Sequence, residues 1–298
     1  MTVKSLCAKA QEKTRVRRTI TQIVSYGVLR SAAFVNCAAL VIACVFLWVN
    51  GIGAISWDFL FESPQNMMTD GGVFPCLVGT FLLAAGAIAI ALPFGVACAV
   101  WLNEYGQKGV LTDTVRLSVA NLAGVPSIVF GLFGLAFFVT AMGLKVSLLS
   151  GILTLAVLTL PVIINTTEEA LKQVPGAWRD ASLALGASKS QTIARIVLPA
   201  ALPGILTGAI LAVARAAGET AAVMFTATVF YTPKLPDSVM SSVMALPYHM
   251  YVLATAGTEI EKTRPMQYGT GLLLVLLVFA MNLAAILLRD KLQKTRVA

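Results

Sequence analysis

The chain has 298 residues, 58% of them hydrophobic and 12% charged, with a mean hydropathy of +0.84 and a formal net charge of +8. Soluble domains carry about 25% charged residues, so this composition excludes a soluble globular domain and describes a polytopic membrane protein. The excess of positive charge follows the loops on one side of the membrane, which argues against a nucleic-acid partner.

Residues 1–30 carry Lys4, Lys9, Lys13, Arg15, Arg17, Arg18 and Arg30 against one acid, Glu12. Ile20, Ile23, Val24, Val28 and Leu29 give the second half an apolar face, which fits a basic amphipathic helix on the cytoplasmic leaflet. A disordered tail is the alternative. The first apolar run starts near residue 32, after this basic stretch and with no small-residue cleavage site, so no secretory signal is expected. The domain division is then a cytoplasmic N-terminal segment over 1–30 and a transmembrane domain over 31–298.

Six spans are predicted, at 32–49, 74–102, 119–142, 146–164, 202–230 and 268–288. Each can cross roughly 30 Å of hydrocarbon at about 1.5 Å per residue, with tilt. With the N-terminus inside, 17 of the 22 Lys and Arg residues fall in inside regions and 4 in outside ones, and Arg215 lies within span five. This bias puts both termini in the cytoplasm.

Two outside loops are longer than tight turns. Residues 50–73 hold Trp57, Asp58, Glu62 and Asp70, and 231–267 hold Tyr248, His249 and Tyr251, side chains suited to the membrane interface. His249 is expected to be interfacial, with no second metal ligand near it in sequence. Cys7, Cys37, Cys44, Cys76 and Cys98 show no metal spacing and read as small hydrophobes without a disulfide framework.

Between spans four and five, in a cytoplasmic loop of about 166–201, lies the polar and basic stretch DASLALGASKSQTIARIVLP, Asp180 to Pro199. Leu183, Ala184 and Leu185 form an apolar patch before Gly186, and Ile193, Ile196 and Val197 repeat at i, i+3, i+4 after it. The stretch reads as helix, glycine turn, helix: a compact knob on the membrane surface. It resembles the EAA coupling loop of ABC importer permeases. Asp180-Ala181-Ser182 stands for the Glu-Ala-Ala, and Gly186, Ile196 and Leu198-Pro199 keep the motif's spacing.

Span five carries AVARAAGETAAV, in which Arg215 and Glu219 lie four apart and can pair on one helix face. Arg215 is about 20 Å along from Leu202, near mid-membrane. A charge there faces a bundle interior or a water-filled path. It serves either as one half of a structural ion pair or as lining of a substrate path, where its planar fork suits a phosphate-like anion. Gly204 and Gly208 form a small-xxx-small pair for close helix packing. Span three opens with NLAGVPSIVFGLFG, whose Gly124, Pro126, Gly131 and Gly134 weaken a regular helix and whose Ser127 offers a hydroxyl. The weak point is either a packing kink or a break that exposes backbone N–H groups to an anion.

No residue set suggests catalysis. Gly186-Ala187-Ser188-Lys189-Ser190 lacks the adjacent Gly-Lys of a phosphate-binding loop, and there is no G-x-S-x-G elbow. The chain is therefore read as a non-enzyme that binds no cofactor itself.

The stretches GGVFPCLVGT (71–80), NLAGVPSIVFGLFG (121–134), LPVIINTTEEALKQVP (160–175), LPAALPGILTGAILAVARAAGET (198–220) and MALPYHMYVLAT (244–255) resemble the permease subunits of Pst-type phosphate ABC importers, most closely the A-type subunit. The resemblance spans about three-quarters of the chain. It implies the type I ABC importer permease fold, an all-α fold of six transmembrane helices in a bacterial inner membrane. It implies a C-type partner permease, two ATPase subunits that carry the ATP and Mg, and a periplasmic phosphate-binding protein. It also implies that the arginine matching Arg215 serves in phosphate transport by alternating access. One departure is Asn165, where family members often carry arginine before Thr-Thr-Glu. Permeases for molybdate, sulfate or phosphonate are the rival reading. A secondary transporter working alone would not need the coupling loop, and an intramembrane enzyme would need a catalytic set.

Overall fold

The computed structural model describes residues 3–68, 70–106, 109–256 and 260–297. The first helix, α1, runs from Val3 to Gly51 without a break, so the basic stretch and the first apolar run form one rod. An outer segment follows: the short α2 (Trp57–Phe61), N-capped by Ser56, and a two-residue hairpin pairing β1 (Pro64–Gln65) with β2 (Asp70–Gly71). Helix α3 (Phe74–Val100) then descends through the bundle and ends in a π turn at Trp101–Tyr105.

The third expected span is not one rod. It forms α4 (Val110–Ala123) and α5 (Ser127–Gly134), the latter prolonged by a π segment to Ala141, and the two are bent by 105° at residues 124–126. Pro126 has no N–H to give and the Gly124-Val125 pair before it leaves the helical path. Among the described residues five helices are long and apolar enough to cross a membrane, six if the bent pair counts as one.

Helix α6 (Leu148–Gln173) is the central post, and two-thirds of its most apolar stretch is buried. It runs well beyond the expected end at residue 164. After a loop helix α7 (Gly176–Ala184), α8 (Lys189–Thr192) passes through a π segment (Ile193–Val197) into α9 (Leu198–Ala217). Gly204 faces Ala170, and Gly208 lies so close to Thr166 that an added Cβ would collide with its hydroxyl. These two contacts fix an antiparallel register between α6 and α9, and the absent side chains let the backbones approach.

The fifth expected span also breaks, at Gly218–Thr220, before the short α10 (Ala221–Thr226). Ala222 and Val223 of α10 enter the main core with Leu83 and Ala87 of α3, Phe130 of α5, and Leu155 and Leu158 of α6. On the outer side α11 (Leu246–Thr255) is tied to α3 by the Leu246 N–H donating to Thr80 Oγ1 at 2.9 Å. His249 on α11 is 1% exposed, so it is a buried side chain and not the interfacial one expected. Helix α12 (Ile260–Val297) closes the bundle against α1, α9 and α11. Cys37, Cys44, Cys76 and Cys98 are free thiols.

Candidate functional site

The loop after α6 folds as a capped knob. Helix α7 ends in a Schellman motif: Ala187 N–H donates to Ser182 C=O at 3.2 Å and Gly186 N–H to Leu183 C=O at 3.0 Å. Gly186 takes the left-handed position that this motif requires, φ +85°, with open space around its Cα. The positive φ is therefore the reason for glycine, and close approach is not. Helix α8 opens with a capping box, Ser188 Oγ accepting from Gln191 N–H and Gln191 Oε1 accepting from Ser188 N–H. Across the turn Ser182 Oγ and Thr192 Oγ1 share a buried hydrogen bond of 2.8 Å.

The positions at motif spacing thus separate by role. Ser182 is buried inside the knob, while Asp180, Ala181 and Gly186 are exposed, and Ile196, Leu198 and Pro199 are half-buried where the loop joins α9. Because α8 runs through the π segment into α9, the second half of the knob is the foot of a spanning helix rather than a separate element. Leu185 is 89% exposed and Trp178 and Leu183 about half exposed, an apolar set on a face outside the bundle.

Ion pairs on two carboxylates, Glu104 and Glu168, hold this end of the molecule, and of these only the Glu168–Lys172 contact follows from i, i+4 spacing. Arg179 on α7 binds Glu104 at the foot of α3 and also donates to the carbonyls of Val174 and Leu171. Glu168 on α6, 7% exposed, accepts from Arg116 of α4 and Lys172 of its own helix, both at 2.9 Å. Lys189 sits over the Tyr105 ring, 4.8 Å from its centre. Cavities of about 310 and 620 Å³ flank the loop, one beside Trp178 and Pro203, the other between Pro93 and Val96 of α3 and Leu198 and Leu206.

Arg215 lies elsewhere. The register set by Gly204–Ala170 and Gly208–Thr166 puts it level with Thr159, close to the middle of α6. Its side chain is exposed, and among the described residues it has no ion-pair partner. The expected Arg215–Glu219 pair does not form. The helix ends at Ala217, so Glu219 leaves the Arg215 face and its Oε1 accepts the Ala222 N–H at 3.4 Å, at the start of α10. Ser127 is the first residue of α5, half-buried, just past the 105° bend. Helices α5 and α10 pack side by side, and so the two helix breaks, Ser127 and Arg215 all fall in the middle region of the bundle. Among the described residues no group of three or more His, Cys, Asp or Glu could hold a metal.

Residues 91–296 match the family described as "Binding-protein-dependent transport system inner membrane component". The "Probable ABC transporter permease protein YqgI" of Bacillus subtilis is 33% identical over 282 residues, which cover 91% of this chain and 95% of that protein. The "Phosphate transport system permease protein PstA" of Xylella fastidiosa (strain Temecula1) is 31% identical over 275 residues, 88% of this chain and 95% of that one. "PstA 1" of Mycobacterium tuberculosis is 38% identical over 219 residues, 74% and 71% of the two chains. Among solved structures, the inward-facing MetNI methionine ABC transporter shares the fold with a TM-score of 0.57 at 24% identity, covering 74% of this chain and 94% of that one. A bacterial alginate ABC transporter, solved with its substrate-bound periplasmic protein, does so with 0.63 at 15% identity, covering 88% and 92%.

Proposed function

The chain belongs to the family of binding-protein-dependent transport system inner membrane components, the permeases of ABC importers, and from that membership we propose that it moves inorganic phosphate into the cytoplasm by alternating access. It is a transport component. ATP is hydrolysed, with Mg, on two separate ATPase subunits, which dock on the knob through Leu185, Leu183 and the exposed Asp180-Ala181 end of α7. A second, C-type permease completes the membrane pair, and an extracytoplasmic phosphate-binding protein delivers the anion to the outer segments around α2 and α11. Both termini are cytoplasmic. Residues 1–30 act as a basic cytoplasmic segment and 31–298 as the permease proper.

The observation that carries phosphate is Arg215. An arginine at mid-depth, exposed and without a carboxylate partner among the described residues, is costly in a bilayer unless a water-filled path and an anion meet it. Ser127 at the start of α5 supports the same reading, since broken helices at this depth present N–H groups and positive dipole ends to anions. Coupling is supported by the stiffness of the knob, which is capped at Gly186, boxed at Ser188 and stapled by Ser182–Thr192.

The test is uptake by the purified complex in vesicles, with labelled phosphate, sulfate, molybdate and phosphonate offered in turn. ATP-dependent phosphate uptake is expected. Uptake of one of the other oxyanions in place of phosphate would move the chain to that substrate.

A further inference from the structure

Helices α3 and α9 are drawn together in their outer and middle parts by small residues. Ala84 shares a buried cluster with Ala216 and Ala217, and Ala91 shares one with Ala212. Toward the knob the two helices part. Leu92, Val96 and Val100 of α3 and Leu198, Leu202 and Leu206 of α9 line an open slot of about 620 Å³, a size within the ~300–1,000 Å³ of ligand sites. Pro93 inside α3 and the π segment at Ile193–Val197 lie beside it, and every side chain that lines it is apolar.

Depth and charge together say what fills the slot. Trp57 and Phe61 stack toward Phe74 at one end of α3, and Trp101 and Tyr105 are exposed at the other, so aromatic side chains mark both interface levels on this helix. The slot occupies only the half next to Trp101. From Leu198 to Leu206 it is about 12 Å long, close to the ~15 Å of one leaflet and far short of a spanning helix. Water needs polar partners that these walls do not offer, so an acyl chain is the filler that fits. At the mouth, Arg195 stands about one turn before the lining residue Pro199, exposed and without an ion-pair partner among the described residues. Lys189 lies over the Tyr105 ring at the foot of α3. From Ala181 to Gly218 the chain holds no Asp or Glu, so this side of the mouth is cationic.

We propose that the slot binds an anionic phospholipid of the leaflet on the knob side, with one acyl chain between α3 and α9 and the phosphate at Arg195, and that this lipid braces the joint between the knob and the membrane. Leu198 and Pro199, which line the slot, are also the residues through which the knob runs into α9. An occupied slot holds α9 against α3 when the knob is pushed. An empty one lets the π segment absorb the motion. The lipid site rests on the slot alone, and its effect on transport rests on the phosphate-importer reading.

The experiment uses the complete complex, in vesicles of phosphatidylcholine alone and of phosphatidylcholine with phosphatidylglycerol. Phosphatidylglycerol bound to the purified complex is titrated by native mass spectrometry, bound ATPase and permease subunits are counted, and labelled phosphate uptake is measured per ATP hydrolysed. The wild type should hold phosphatidylglycerol and couple better in the vesicles that contain it. Arg195→Gln should bind it about fivefold more weakly, and Arg195→Lys close to normally. Ala97→Phe, which fills the slot, should lose the lipid, keep its partner subunits, and transport equally in both kinds of vesicle. Undiminished phosphatidylglycerol in Ala97→Phe and Arg195→Gln overturns the site. Loss of the second permease from the Ala97→Phe complex assigns the slot to that subunit and overturns it too. Loss of the lipid with unchanged uptake per ATP overturns the brace. A wild-type complex that holds the lipid, loses it in Ala97→Phe and moves no phosphate removes the phosphate reading and leaves the site standing.

Discussion

Arg179 grips Glu104 with two of its three arms: Nη2 lies 2.7 Å from Oε1, and Nε lies 3.2 and 3.3 Å from the two carboxylate oxygens. The pair joins the loop helix α7 to the foot of α3, so a push on the knob is carried to a second spanning helix as well as to α9. The Glu104 side chain is 8% exposed and Arg179 21%, so removal of one partner leaves a mostly buried charge. Arg179→Gln is expected to destabilise the region by roughly 3–5 kcal/mol. Faster amide hydrogen exchange over residues 176–188 would report it. Arg179→Gln combined with Glu104→Gln should cost less than the sum of the two single changes. Strict additivity would show that the two side chains act separately.

Gly186 has φ +85° and no atom near the place where a Cβ would go. Conformation alone then decides what is tolerated. Asn, which visits the left-handed region readily, should keep ATPase binding and coupled uptake close to wild type. Val should strain the turn by about 1–3 kcal/mol and sharply reduce both, while membrane insertion and pairing with the second permease persist. Counting bound ATPase subunits and measuring uptake in vesicles separates the cases. Equal, full function of the Val and Asn variants would make the loop an ordinary connector.

What the sequence reveals here is what is local. The spacing of Ser182, Gly186 and Ile196 is confined to one turn and its flanks, and the helix–glycine–helix reading follows from it. The close contact at Gly208 is likewise announced by the small residues around it. The breaks are harder to read. Within the run from 202 to 230 only Gly218 and the polar Glu219-Thr220 hint that the helix stops at Ala217, and the new course of α10 is set by packing of Ala222 and Val223 against Phe130 and Leu158, far away in sequence. The same break separates Arg215 from Glu219, which helical spacing alone would pair. Arg179 and Glu104, 75 residues apart, become partners only once α6 and α7 bring the loop back to α3. The burial of His249 under the outer segments has no local signal either.

Because Arg215 does not bind Glu219, the two substitutions should have different effects. Arg215→Gln is expected to lower phosphate uptake at least tenfold and to change stability by no more than about 0.5 kcal/mol, as for an exposed side chain outside any network. Glu219→Gln weakens an acceptor at the start of α10 and should cost about 0.5–1 kcal/mol. Uptake kinetics and denaturation of the purified complex check both. Normal kinetics in Arg215→Gln would remove that residue from the path.

Lys and Arg are concentrated in the segments assigned to the inside. Reporters fused after Ala298 are therefore expected to be active only when they work in the cytoplasm. A fusion active only in the periplasm would reverse the orientation and move the knob away from any ATPase.

His249 is 1% exposed on α11, outside the spanning helices, and neither ring nitrogen has a partner among the described residues. Burial pulls its pKa down to about 4 from an ordinary 6.5, since the charged form cannot keep its hydration. The sign follows from proton binding. Between these two values the unfolded chain takes up a proton that the folded chain refuses, so protons favour unfolding. The stability tied to neutral His249 is complete above about pH 6.5 and is lost progressively as the pH falls toward 4, by roughly 3 kcal/mol in all. The wild-type complex should therefore lose thermal stability across that window more steeply than His249→Leu, whose apolar side chain has no proton to bind. Melting temperatures of the two complexes, measured from pH 7.5 down to pH 4.5, should converge or cross as the pH falls. Parallel curves would mean that His249 finds a proton acceptor in the folded state and that its burial does not govern its charge.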